Sequence, residues 1–206
     1  MTAWISMVAD EDASADQRAA LDEARTPHGT VDNVMRVHAL RPNTMRGHVR
    51  LYRSVLHDDA NTVPMWLQET IASYVSLVNG CAYSLSNHWA NARHLILQES
   101  WGDKEKADRI ESALRRGAPE DVFDGAALAM LRYAEKLTRT PGAMVATDLD
   151  AMRADGVDDG EILEVNQIVG YFNYVNRLLN GLGVTLEGDV VGYYKDAAHD
   201  GEETAA

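Results

Sequence analysis

Residues Glu69 to His88 read ETIASYVSLVNGCAYSLSNH, and this stretch decides how the rest of the chain is read. It holds the only cysteine of the sequence, Cys81, with a carboxylate twelve residues before it and a histidine seven after. Cys81, Ser84 and His88 stand at i, i+3 and i+7, so a helix starting near Cys81 is expected to carry all three on one face. In one straight helix Glu69 and Cys81 would lie about 18 Å apart. Asn79-Gly80 interrupts it, because glycine, and less often asparagine, accepts the left-handed conformation that ends a helix. A break there folds the second helix back and brings carboxylate, thiol, hydroxyl and imidazole together.

The flanking sequence is helical almost throughout, with sparse Pro/Gly punctuation and no sustained period-two alternation. A first helix is expected from Ser14 to Arg25, with Ser14 and Gln17 spaced for a capping box. Thr26-Pro27-His28-Gly29 forms the turn after it. A short helix over 31–40 ends at Arg41-Pro42, and Asn43 is expected to cap a helix through His57. The Glu69 helix starts near Pro64, which suits a first helical position. The Cys81 helix runs to Glu99, and further helices are expected over 103–115, over Asp124–Thr138, and from a Thr147 cap to Gly156. The last, Asp158–Leu182, opens on an Asp158/Glu161 box. It is apolar over much of its surface, which marks it as central or as a subunit contact. A polar stripe of Asn166, Gly170, Asn173, Arg177 and Asn180 runs along it. The count is eight to nine helices in one domain, 1–206, with a core over 12–186 and a flexible acidic tail over 190–206.

The pattern E-x11-C-x-Y-[CS]-x3-H resembles the active-site signature of the alkylhydroperoxidase D-like, or carboxymuconolactone decarboxylase, superfamily. Its redox members carry a CxxC pair, a histidine four residues after the second cysteine, and an upstream glutamate. Glu69, Cys81 and His88 fall on the glutamate, the first cysteine and the histidine. Tyr83 matches a position often aromatic or histidine, and Ser84 stands in place of the second cysteine. The segment YFNYVNRLLNGLG (171–183) resembles the closing helix of the superfamily's peroxidase-related branch. The two segments and the helix order cover most of residues 30–185. The resemblance implies an all-α alkylhydroperoxidase D-like bundle, assembled as a homo-oligomer.

The serine changes what chemistry the resemblance implies. In dithiol members the second cysteine attacks the peroxide and the first resolves it, and one cysteine permits no disulfide within the chain. Cys81 alone would need an external or inter-subunit thiol to reduce its sulfenate. A one-cysteine, peroxidase-related oxidoreductase is the first reading. Beside it stands a cofactor-free acid–base decarboxylase, isomerase or lyase, in which Glu69 and His88 move the proton while Ser84 and Cys81 polarise a carbonyl. A third is a non-catalytic binding protein. The catalytic candidates are Glu69, Cys81, Ser84 and His88. Tyr83, Asn173 and Arg177 are candidates for substrate binding, although packing is the default role of Tyr83 and an internal polar seam that of Asn173 and Arg177. A lone cysteine is more often a small buried hydrophobe, and Ser84 reads better as a polariser or placeholder than as a nucleophile.

The bulk composition narrows the partners. A formal charge of −13 is wrong for nucleic acid, which needs a basic surface, and for anionic membranes. No apolar run approaches the roughly 20 residues of a membrane span. The opening MTAWISMVADEDASAD lacks a basic leader, so a cytoplasmic location is expected. A four-cysteine zinc site is excluded, and His94, six residues after His88, is off ligand spacing; no metal or cofactor is expected. There is no Gly-rich phosphate loop. The expected partner is a small-molecule substrate.

Overall fold

The computed structural model describes residues 1–194, and these contain nine α-helices and no strand. They are α1 (Ala15–Glu23), α2 (Asn33–Arg36), α3 (Pro42–Leu56), α4 (Met65–Val78), α5 (Ala82–Gln98), α6 (Lys104–Arg115), α7 (Gly125–Arg139), α8 (Asp150–Ala154) and α9 (Asp159–Leu182). Short 3-10 turns at Val37–Leu40, Pro119–Asp121, Pro141–Ala143 and Ala146–Asp148 fill several connections.

Local sequence explains most of the boundaries. Ser14 and Gln17 close a reciprocal capping box on α1, and Asp158 and Glu161 do the same for α9. Each box satisfies backbone N–H groups that the first helical turn leaves unpaired. Gly80 has φ +63°, and the chain reverses there so that α5 folds back along α4. Gly183 ends α9 in the same left-handed conformation, with the Trp4 ring where a Cβ would stand. Any side chain at 183 would therefore clash as well as strain the backbone.

Three boundaries differ from expectation. Helix α3 starts at Pro42, with Arg41 as its cap, so Asn43 lies inside the first turn and does not cap it. Pro64 is the cap of α4 and not its first residue. Thr147 lies within a 3-10 turn, and Leu149 precedes α8. None of the three caps, Arg41, Pro64 and Leu149, makes a side-chain hydrogen bond to its helix.

The core centres on α4 and α9, which pack against each other; α7 lies on both and α3 on α9. Ile71, Val75, Ile168, Phe172 and Leu131 are fully or almost fully buried there. Burying one such side chain contributes roughly 1.5–3 kcal/mol. A smaller apolar cluster, with Leu21, Met45 and Val49, joins α1 to α3. The packed region extends beyond 12–186. Ala3 is buried in the main core, the Trp4 N–H donates to the Leu182 carbonyl, and the Thr185 N–H donates to Thr2. The tail expected from 190 also begins as bound structure, described below; residues 195–206 lie outside the described residues.

Candidate active site

The α4–α5 reversal sets Glu69 opposite His88. The Glu69 side chain is fully buried, and its Oε2 lies 2.6 Å from His88 Nδ1. A carboxylate only accepts, so Nδ1 carries the proton and donates, which in the neutral ring leaves the lone pair on Nε2. Asn91, one turn beyond His88, donates from Nδ2 to Glu69 Oε1 at 3.2 Å. Phe172 on α9 meets the imidazole in a T-shaped contact, with ring centres 4.5 Å apart. The carboxylate is thus held on both oxygens, and the ring is fixed on two sides.

His88 opens onto a cavity of about 120 Å³ between α3, α5, α9 and the C-terminal segment. Its walls include Tyr52 and His57 from α3 and its end, Tyr83 and Ser84 from α5, and Tyr171 from α9. Tyr193 closes one side, stacked on His57 with ring centres 4.6 Å apart. Burial lowers the His57 pKa below the ordinary imidazole range, opposed by the charge of nearby Glu69. His57 Nε2 is buried and has no hydrogen-bond partner among the described residues. Asp32, also in the wall, is pushed up to about 6 by burial and by the neighbouring Asp189.

Cys81 is elsewhere. It caps α5 in an extended conformation, so the helical wheel that relates Ser84 to His88 does not reach it. Its side chain is 1% exposed, packs in the main core and does not line the cavity. Burial raises the thiol pKa, an effect partly opposed by hydrogen bonds from the Ser84 backbone N–H and the Asn176 side chain. The helix start does supply donors, but desolvation outweighs them. Expected on one face, the three residues divide, with Ser84 and His88 at the cavity and Cys81 behind it.

Ser84 is nearly fully buried, and its hydroxyl lies 2.8 Å from that of Ser76, which also bonds the Ala72 carbonyl. Its partner is therefore on α4 and not His88. Tyr83 lines the cavity, and its hydroxyl bonds the Asp189 carboxylate and accepts from the Val34 N–H at 3.2 Å. Asn173 and Arg177 lie outside the cavity wall. Arg177 donates to Asn173 Oδ1 at 2.7 Å, and Asn173 donates to Thr138 and receives Asn79, a seam satisfied within the chain.

The sequence reading missed His57, Tyr52, Tyr171 and Asn91. Asn91 alone had a local signal, since it follows His88 at i+3 on the same face. The others reach the cavity through helices distant in sequence. The segment after α9 also went unread: the Gly192 N–H donates to Asn87 Oδ1 at 3.0 Å, and the Tyr193 N–H to Asn91 Oδ1 at 2.6 Å. Asn91 so links the C-terminal segment to the buried carboxylate. Among the described residues no group of three or more His, Cys, Asp or Glu side chains could hold a metal ion, and no helix is long and apolar enough to cross a membrane.

Helix order and site geometry together define an alkylhydroperoxidase D-like fold, and solved structures share it. A peroxidase-related protein of Ralstonia eutropha JMP134, described as an alkylhydroperoxidase AhpD core, is similar with a TM-score of 0.76 at 21% identity, over 92% of this chain and 94% of that one. A peroxidase-related protein of Silicibacter sp. TM1040 is similar with a TM-score of 0.74 at 21% identity, over 94% and 95%. The debrominase Bmp8, in complex with 2,3,4-tribromopyrrole, is similar with a TM-score of 0.67 at 16% identity, over 95% and 94%. No protein-family model and no curated protein matches the sequence. The chain has the alkylhydroperoxidase D-like fold.

Proposed function

We propose that the protein is a cofactor-free acid–base enzyme, with His88 as the proton-transfer group and Glu69 as the carboxylate that orients it. The observation that carries this reading is the 2.6 Å contact of His88 Nδ1 with a fully buried Glu69, which leaves Nε2 as the basic nitrogen of a cavity residue. An imidazole held in one tautomer by a carboxylate suits proton abstraction beside a carbonyl and return of the proton to the product. Ser84, at the cavity wall, polarises the substrate. Cys81 positions the start of α5 from behind, as acceptor of the Ser84 N–H. A cavity of about 120 Å³ suits a molecule near one ring in size, since an engineered apolar cavity of roughly 150 Å³ takes up benzene. Cytoplasmic location and homo-oligomeric assembly belong to the same proposal.

A one-cysteine oxidoreductase is the second reading. The peroxidase-related descriptions of two structural neighbours and the two donors to the Cys81 sulfur favour it. Cys81 would take one oxygen from a hydroperoxide, releasing the alcohol; one external thiol would convert the sulfenate to a mixed disulfide and water, and a second would free the Cys81 thiol and leave as the external disulfide. Against it stand the buried sulfur and the raised thiol pKa. Non-catalytic binding has no specific observation in its favour.

A panel of β-keto acids, lactones and hydroperoxides with a small thiol, offered to the wild type and to His88→Ala, Glu69→Gln and Cys81→Ala, separates the readings. Acid–base chemistry predicts turnover of a keto acid or lactone that fails in His88→Ala and survives in Cys81→Ala. Thiol-dependent hydroperoxide turnover that disappears in Cys81→Ala overturns it.

A further inference from the structure

Beside the cavity lies a second polar chain, built from residues that the dyad does not use. Thr44 Oγ1 is 2.9 Å from His38 Nδ1, His38 Nε2 is 2.9 Å from His48 Nδ1, and His48 Nε2 is 2.8 Å from the Tyr171 hydroxyl. The chain runs from an exposed residue on the first turn of α3, through two buried imidazoles, to a phenol whose residue lines the cavity. Three heteroatom contacts in one line across three segments go beyond what packing needs. A phenylalanine at 171 and apolar residues at 38 and 48 would fill the same core.

The chain also has a direction. Thr44 Oγ1 donates its single proton to the Arg41 carbonyl at 2.8 Å, so toward His38 it accepts. His38 must then carry its proton on Nδ1 and accept on Nε2. His48 in turn carries Nδ1–H and accepts on Nε2, and Tyr171 donates its O–H. Every donor points away from the cavity. Burial disfavours charge on both imidazoles: it lowers both pKa values, His48 to about 3, where its neighbour His38 adds to the effect. Burial also holds the Tyr171 phenol well above its ordinary range.

We infer that Thr44, His38, His48 and Tyr171 form a proton relay between the cavity and solvent. A proton taken up at the Tyr171 oxygen displaces the phenolic proton to His48 Nε2. The Nδ1 proton of His48 passes to His38 Nε2, that of His38 Nδ1 passes to Thr44 Oγ1, and the Thr44 hydroxyl turns from the Arg41 carbonyl to give its own proton to water. Each centre ends with one proton, and both imidazoles have changed tautomer. A stepwise passage would put a cation on a buried imidazole, so the transfers are concerted. The relay serves the acid–base site proposed above and in that sense rests on it. It carries a proton released in the cavity out to solvent, along a path separate from the Glu69–His88 pair.

The test needs no substrate. In the full chain labelled with ¹⁵N-histidine, NMR near neutral pH reports the tautomers of His38 and His48 and the solvent exchange of their ring N–H groups. The relay predicts Nδ1–H on both rings. It also predicts that Thr44→Val slows exchange at His48 by about tenfold or more, because the remaining route is local opening, and that Thr44→Ser restores the rate. A charged or Nε2–H ring at either position, or a His48 exchange rate untouched by Thr44→Val in a protein of unchanged thermal stability, overturns it. Neither readout involves His88, so the relay and the acid–base reading fail separately.

Discussion

Cys81 and His88 stand seven residues apart at the start and middle of one helical segment, yet they occupy different media. Cys81 is sealed in the core with its thiol pKa raised by burial, whereas His88 is anchored on a buried carboxylate and faces a cavity. A motif reading treats them as partners of equal rank. Their surroundings assign opposite roles, because a nucleophilic sulfur needs access and stabilisation of the thiolate, while an acid–base imidazole needs orientation and access. The comparison teaches that the serine at 84 is more than the loss of one sulfur. The remaining sulfur is buried in the core and does not line the cavity.

The largest effect that would break this contrast is on turnover. His88→Ala is expected to lose about 100-fold to 10,000-fold in kcat/KM on whichever panel member the wild type converts, and Glu69→Gln roughly 10-fold to 100-fold. Cys81→Ala is expected to stay within a few-fold; an equal loss in all three would erase the distinction. Thiol labelling sharpens the comparison at the Cys81 end. A disulfide reagent should modify Cys81 on the order of 100-fold more slowly in the native protein than in urea, since reaction requires local opening. Comparable rates would mean that the sulfur is open to the solvent.

Acid stability follows next and concerns the relay. His48 is held at about 3 against an ordinary value near 6.5, a depressed group. Its neutral form contributes stability that is fully present above about 6.5 and is lost as pH falls toward about 3. His38 and His57 are lowered and act in the same sense, while Asp32, raised to about 6, works against them by favouring the protonated fold. Urea unfolding is therefore expected to lose on the order of a few kcal/mol between neutral pH and pH 4. A His48→Gln variant, less stable at neutral pH, should show a flatter acid limb. An equally steep limb in that variant would remove His48 from the account. The smallest effect is expected in the seam: Arg177→Ala should change stability by no more than about 0.5 kcal/mol and leave KM unaltered, whereas a raised KM would return Arg177 to substrate binding.

Much of the fold was legible because its signals are local. The two capping boxes, the glycine reversal at 80 and the long apolar α9 are written in residues three or four apart. The Glu69–His88 pair was expected from that reversal together with the register of the family-like motif. The cavity was not legible, because Tyr52, His57, Tyr171 and Tyr193 meet only through packing of α3, α9 and the C-terminal segment. The helical wheel failed at Cys81 for a plain reason: a cap residue has non-helical dihedrals, so its side chain leaves the face its number suggests.

The central claim is that the working group is the His88–Glu69 pair and not the thiol. Its most direct test is intact mass of the full chain after brief exposure to stoichiometric hydroperoxide with a sulfenate trap, with Cys81→Ala as control. The account predicts no trapped adduct that depends on Cys81. Gain of one oxygen at Cys81 within seconds, trapped as a sulfenate and reversed by a small thiol, would contradict it.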